Sequence, residues 1–465
     1  MPLNSMHISI SNLGALQTAK LSLGDLTIIC GSNNTGKTYA TYALYGFLSS
    51  WNDNLTFAIS PEALKKLLAE GITHIDVRDY AKNTATVLKN GCEVYTQHLP
   101  VIFAASEERF KESVFAITVD ADDFRLENRY ERRIKAGKAD WLYLTKEPGS
   151  TDLIVTLLAE NKAKLPTEYI EKVIDEALKD IIFGVIFPKP FIASAERTGA
   201  AIFRKELNFA RNRLLEEMGQ ADKTIDPWEL FFKSYQDYAL PVKANVDFTR
   251  QLESLAMKTS AIAEQHADIL ADFTDIIGGE YLVTKNDELY YKPKGKTAKL
   301  TMDESSSAVR SLLDIGFYLK HLAKPGDLLM VDEPELNLHP ENQRRVARLF
   351  ARLINLGIKV FITTHSDYII KELNTLIMLN QNLPRLKQIA EREGYKSEEL
   401  ISAEKVKVYI AELAYVKPNG HSKKVRRQTL TLADIDPILG IEARSFDKTI
   451  DAMNRIQEEI VWGDE

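Results

Sequence analysis

Gly31-Ser32-Asn33-Asn34-Thr35-Gly36-Lys37-Thr38 satisfies the pattern G-x-x-x-x-G-K-[ST] of a phosphate-binding loop. The flanking residues pass the test of context. Leu26 to Cys30 reads as a short buried strand before the loop, and Tyr39 to Ser50 reads as a helix after it. A glycine-rich turn with no ligand is the plain alternative, and this strand-loop-helix setting disfavours it. Glycines let the loop wrap so that successive backbone N–H groups face the phosphates, while the helix presents its positive end. Gly31, Ser32, Asn33, Asn34, Thr35 and Gly36 are thus expected to cradle ATP. Lys37 is expected to reach the β- and γ-phosphates, and Thr38 to hold Mg²⁺.

Such a site needs a carboxylate, and Asp327 to Glu333 is an apolar strand ending in two acids, a Walker B pattern. Asp332 is expected to bind the magnesium. Glu333 is expected to polarise the attacking water as general base. Pro334 to Pro340 follows, then a helix from Glu341 and a second apolar strand, Ile358 to Thr363, ending in Thr364-His365-Ser366. His365 at that strand end is expected to act as a switch that reads the γ-phosphate, against the alternative of a structural histidine.

The chain has 465 residues with a net charge of −7, 45% hydrophobic and 27% charged residues, which suits two or three soluble subdomains. No apolar run approaches the roughly 18 residues of a membrane span, and the N-terminus lacks a secretory pattern, so a cytoplasmic location is expected. Cys30 and Cys92 are too few for a disulfide framework or a zinc site and are expected to be reduced. The acidic balance argues against coating nucleic acid with the whole surface, though not against one basic groove.

The fold class expected is α/β, with six segments. Residues 1–50 carry the P-loop and two edge-type strands, Met6 to Ile10 and Ala19 to Leu23. Residues 51–188 read as an α+β insertion, and 189–200 as a return to the head sheet. Residues 201–277 read as a helical arm, which at ~1.5 Å per residue would project about 45 Å, or else as helices packed on the body. Residues 278–380 complete the head, opening with a hairpin at Tyr281 to Val283 and Glu288 to Lys292.

Residues 381–465 read as a C-terminal hairpin and helix available to a partner. Lys423, Lys424, Arg426 and Arg427 make the hairpin either a solvated edge or a phosphate-contacting patch. Ile450, Met453, Ile456 and Ile460 mark an apolar stripe on the terminal helix, which leaves docking on its own body or on a partner open. Asp434-Ile435-Asp436 matches part of a TOPRIM metal site, yet a turn or helix cap explains it as well.

Ser305-Ser306-Ser307 precedes an apolar-periodic helix, Ser311 to Leu322, where N-capping would account for serines. With the two motifs above, however, the chain resembles the ABC-type ATPases related to RecF, SMC proteins and the OLD family over residues 1–50 and roughly 188–375. The resemblance implies a P-loop NTPase head with a mixed β-sheet core. It also implies that Ser305, Ser306 and Ser307 form a signature covering the ATP of another subunit, so that a homo-oligomer, at least a dimer, sandwiches ATP. The triad lacks the glycines of the usual L-S-G-G-Q, and no Q-loop glutamine is evident. Ser194 to Gly199 resembles the A-E-R-[ST]-G stretch of the same relatives, making Glu196 and Arg197 candidates, against an ordinary ion pair at a helix start.

Compact ATPases of this kind resemble the ATPase subunits of bacterial anti-phage systems such as Septu, which works with an HNH nuclease, and PARIS, with a TOPRIM effector. That implies a separate nuclease or effector subunit. A RecF-like or SMC-like clamp acting directly on DNA and an ATP-binding sensor with negligible turnover are the other readings.

Overall fold

The computed structural model describes residues 6–120, 123–136, 139–158, 166–204, 238–285, 288–416, 424–441 and 452–460. A six-stranded central sheet organises them. Its spatial order is Val425–Leu432, Val406–Val416, Leu26–Cys30, Lys359–Thr364, Leu328–Asp332 and Pro190–Ala193. The last five run parallel, and Val425–Leu432 is an antiparallel edge. This is the mixed-sheet α/β class the sequence implies.

Leu26–Cys30, Lys359–Thr364 and Leu328–Asp332, three of the four inner strands, are buried on both faces, as apolar runs in parallel sheets must be. Alternate side chains feed two cores. Ile29, Met330 and Phe361 enter one, while Ile28, Val331 and Ile362 enter the other. The helices Pro340–Asn355 and Asp367–Leu379 cover the second face.

Residues 51–188, expected as an α+β insertion, share a sheet with the N-terminal strands. Val114–Val119 pairs antiparallel with Met6–Leu13, which also pairs with Leu16–Ser22, so the N-terminal strands need the inserted segment to complete their sheet. Phe115 and Ile117 bury in the same core as Ile8 and Ile10, and a further four-stranded antiparallel sheet closes the region. Burial of shared apolar faces fuses the two segments.

Of the expected arm, 201–204 and 238–277 are described, and 238–277 is a set of short helices packed on the body. Leu252, Ile262 and Ile269 are buried there, and Asn245 Nδ2 donates to Ile192 O at 2.6 Å while its Oδ1 accepts Ser194 N at 2.9 Å. Residues 205–237 lie outside the described residues. Gly279–Val283 and Leu289–Pro293 form the expected antiparallel pair, joined by Leu300–Thr301.

The C-terminal hairpin is part of the central sheet. In Val406–Val416, Val406 to Ile410 pairs in parallel with Leu26 to Cys30, the strand that leads into the P-loop. Among the described residues the second half of Val406–Val416 pairs only with Val425–Leu432 and extends beyond Leu26–Cys30. The expected turn at Pro418-Asn419-Gly420 and Lys423 lie outside the described residues. In the terminal helix Met453, Ile456 and Ile460 are exposed, and Ile450 is outside the described residues. Asp436 accepts from Ile438 N and Leu439 N at 2.7 and 2.9 Å, a turn-forming role. Among the described residues no helix is long and apolar enough to cross a membrane.

Candidate functional site

Register brings the motif residues level. Cys30 pairs with Thr364 and Thr363 with Asp332, so the P-loop, His365 and the Walker B acids emerge from one end of three adjacent parallel strands. Ligands of open α/β sheets bind outside such carboxyl ends.

In the loop, Gly31 has φ 137°, Asn34 61° and Gly36 95°. A Cβ at Gly31 would lie 2.7 Å from Ala411 O, and one at Gly36 2.6 Å from Leu16 Cγ, so both positions need glycine for conformation and for space. Lys37 begins the helix Lys37–Asn54, and its Nζ donates to Gly31 O at 3.1 Å and Ser32 O at 2.8 Å. Burial lowers the Lys37 pKa, opposed by the charges of Glu333 and Asp332. Thr35 Oγ1 closes the loop on Ser32 O at 2.8 Å. Cys30, buried beneath, has its thiol pushed up to about 12 by burial, which makes it a packing residue.

Asp332 is buried, accepts from Thr363 Oγ1, and is pushed up to about 6 chiefly by desolvation. Glu333 leaves the strand with φ 51°, an uncommon left-handed conformation for a residue with a side chain. Its backbone is held on both sides: Glu333 N donates to Thr363 O at 3.0 Å, and Glu333 O accepts from Arg197 Nη2 at 2.8 Å. The side chain thereby comes within 3.4 Å of His365 Nε2. Hydrogen bonding to His365 lowers the Glu333 pKa, keeping the carboxylate ionised and able to take a proton.

Arg197 is fully buried and spans two parts of the molecule. Its Nε donates to Ser311 O at 2.7 Å, and Nη1 to Ser194 O and Asp332 O at 2.7 and 2.6 Å. It is therefore no surface ion pair: it ties the Walker B turn to the helix after the serine triad. Asp314 on the next helix, Leu313–His321, is also fully buried, neither carboxylate oxygen has a hydrogen-bond partner among the described residues, and burial pushes it up to about 7. Glu196 accepts from Tyr42 OH at 2.9 Å. We expect Arg197→Met to lower unfolding free energy by about 3 kcal/mol, because buried carbonyls lose a charged donor. Denaturant titration checks this, and an unchanged midpoint would remove Arg197 as a structural tie.

The serines behave locally. Ser305 is buried and donates to Met302 O at 2.7 Å, while exposed Ser306 caps the helix Ser307–Ser311 by accepting Val309 N at 3.3 Å. That helix begins four residues before the expected start at Ser311, then breaks and continues as Leu313–His321. N-capping thus accounts for Ser306 within one chain.

Two contributors escaped the sequence reading. Glu335 accepts His365 N at 2.6 Å and Thr364 Oγ1 at 2.9 Å, clamping the strand end that carries His365. Gln428 Nε2 donates to Thr35 O at 3.2 Å, tying the C-terminal hairpin to the P-loop. Glu335 stands in the segment after the Walker B pattern, where an acid two residues past Glu333 was a legible signal. No local signal marks Gln428.

The AAA ATPase domain family matches residues 1–370, the stretch that holds all of these motif residues. The chain belongs to that family. The family match stops short of Val406–Val416 and Val425–Leu432, although these supply a third of the central sheet's six strands. No curated protein matches the chain. Similar solved structures include an SMC head bound to the C-winged helix domain of ScpA (10% identity, 91% of this chain and 97% of that one, TM-score 0.31). Others are the SMC head domain from Thermotoga maritima (8%, 92% and 98%, 0.28) and the Pyrococcus furiosus SMC head domain with an extended coiled coil bound to the C-terminal domain of ScpA (14%, 98% and 100%, 0.28). At these TM-scores the likeness carries no weight beside the geometry.

Magnesium, which ATPases of this family normally require, fits the residues present. Asp332 offers a desolvated carboxylate whose ionised form a cation would favour, and Thr38 lies one residue into the P-loop helix. No cluster of three metal-ligating side chains occurs among the described residues, so such an ion would draw its remaining ligands from phosphate oxygens and water.

Proposed function

We propose that this AAA ATPase domain protein is an ABC-type ATPase that binds and hydrolyses ATP, with two copies closing over the nucleotide. The observation that carries the reading is the convergence of Lys37, Asp332, Glu333 and His365 at the carboxyl end of adjacent parallel strands. Lys37 exchanges the loop carbonyls for the β- and γ-phosphates. Thr38 and Asp332 would hold magnesium, which would supply neutralisation of phosphate charge. Glu333 orients water and accepts its proton, and His365 positions Glu333 and reads the γ-phosphate.

The trans contribution of Ser305, Ser306 and Ser307 rests on the resemblance to ABC-type relatives and on the exposure of Ser306. Ser306→Asp tests it, because aspartate caps a helix as well as serine but repels a partner's γ-phosphate. We expect hydrolysis to fall with single-subunit ATP binding unchanged. Mixing with Lys37→Ala should restore part of the turnover by building one intact composite site. Wild-type hydrolysis by Ser306→Asp would end the trans assignment.

The output we propose is control of a separate nuclease effector in anti-phage defence, as in the ATPase subunits the chain resembles. Co-purification from the native operon followed by mass measurement tests it. A complex with a nuclease subunit is the expected result. ATP-dependent DNA binding by this chain alone would favour the RecF-like or SMC-like reading.

A further inference from the structure

The hairpin beside the P-loop has a face that nothing in the nucleotide chemistry above uses. Tyr409, Ala411, Leu413 and Tyr415 alternate onto one side of Val406–Val416, opposite Leu432, Leu430, Gln428 and Arg426. Its base is fixed against the loop: Ala411 abuts Gly31, and Gln428 bonds Thr35 O through its side chain and Gln17 Oε1 through its backbone N–H, at 3.2 and 3.0 Å. Beyond that anchor Leu413 is 54% and Tyr415 69% exposed on the same face, with Arg426 exposed across from the ring. Water-facing apolar side chains continuing from a ligand loop call for an occupant.

Sheet order says which part of the ligand that is. The general base and magnesium carboxylate lie on the Leu328–Asp332 side of the P-loop strand, so the γ-phosphate end of the nucleotide points there. The hairpin stands on the opposite flank. A triphosphate held at Lys37 with its γ end toward Glu333 leaves the opposite flank, the side of Leu413 and Tyr415, open to its nucleoside end.

We propose that this face, Leu413 and Tyr415 with Gln428 and Arg426, is the nucleoside seat of the site, the adenine base of ATP stacking on the Tyr415 ring. The inference rests on the nucleotide reading of the P-loop and adds a subsite outside the matched family region. Gln428 makes the seat part of the loop: main-chain movement at Thr35 on phosphate binding is passed to the strand that carries the seat.

Equilibrium binding of Mg·ATP and of inorganic tripolyphosphate, which has no nucleoside, to the full chain tests this. Tyr415 is exposed, so its variants should fold. Tyr415→Ala should weaken ATP binding about tenfold, the scale of base–aromatic stacking, and leave tripolyphosphate affinity unchanged. Tyr415→Phe should retain ATP affinity. Unchanged ATP affinity in Tyr415→Ala, or equal weakening of both ligands, would overturn the seat while leaving the P-loop reading intact. Failure of the wild type to bind either ligand would overturn both.

Discussion

Glu333→Gln is expected to lower phosphate release at least about tenfold, a floor set below the ~10²–10⁴-fold contribution of a general base, while ATP affinity changes little. The amide keeps the size and hydrogen-bonding reach of the carboxylate but cannot take a proton from water. The surroundings make this a clean test. Glu333 is set by its backbone, through Thr363 O and Arg197, and its left-handed φ of 51° does not depend on the side-chain charge. What the substitution removes is the anion that His365 stabilises. With hydrolysis blocked, subunits should accumulate in the closed, ATP-bound form and show a larger mass by light scattering with ATP present. Unchanged turnover would take Glu333 out of the mechanism. Lost turnover without a more stable assembly would favour an ATPase that does not dimerise.

Lys37→Ala should weaken ATP binding about 100-fold, the scale of lost charge-assisted hydrogen bonds in a desolvated loop. Its ammonium now donates to Gly31 O and Ser32 O, and burial has already lowered its pKa. Exchanging those carbonyls for phosphate oxygens gives a desolvated cation an anionic partner, and alanine removes that gain. The loop would lose two internal bonds, but the strand Leu26–Cys30 and the helix Lys37–Asn54 have their own ladders and cores, so circular dichroism should be unchanged. Tripolyphosphate should be lost along with ATP, in contrast to Tyr415→Ala. A folded variant with wild-type ATP affinity would refute the phosphate role of Lys37.

The sequence by itself determined the parts whose chemistry is local. A P-loop needs glycine where φ is positive and a lysine at the helix start, and Gly31, Gly36 and Lys37 occupy those places. An apolar run ending in acids or in Thr-His-Ser can be read as a buried strand reaching a site, because both faces of such a strand are covered. The resemblance to ABC-type ATPases went further than these residues and led to the serine triad, where the single chain shows a helix cap.

Tertiary structure alone decided who pairs with whom. Periodicity can mark apolar positions such as Val406, Val408 and Ile410 or Phe115 and Ile117 for burial, but it carries no address for their partners, which lie hundreds or about a hundred residues away. That is why the place of the C-terminal hairpin beside the P-loop, and the completion of the N-terminal sheet by a segment read as an insertion, came only from the structure. Arg197, Glu335 and Gln428 belong to the same class. Each acts by hydrogen bonds to backbone or hydroxyl groups remote in sequence, and a backbone carbonyl leaves no trace in the residue type that bears it.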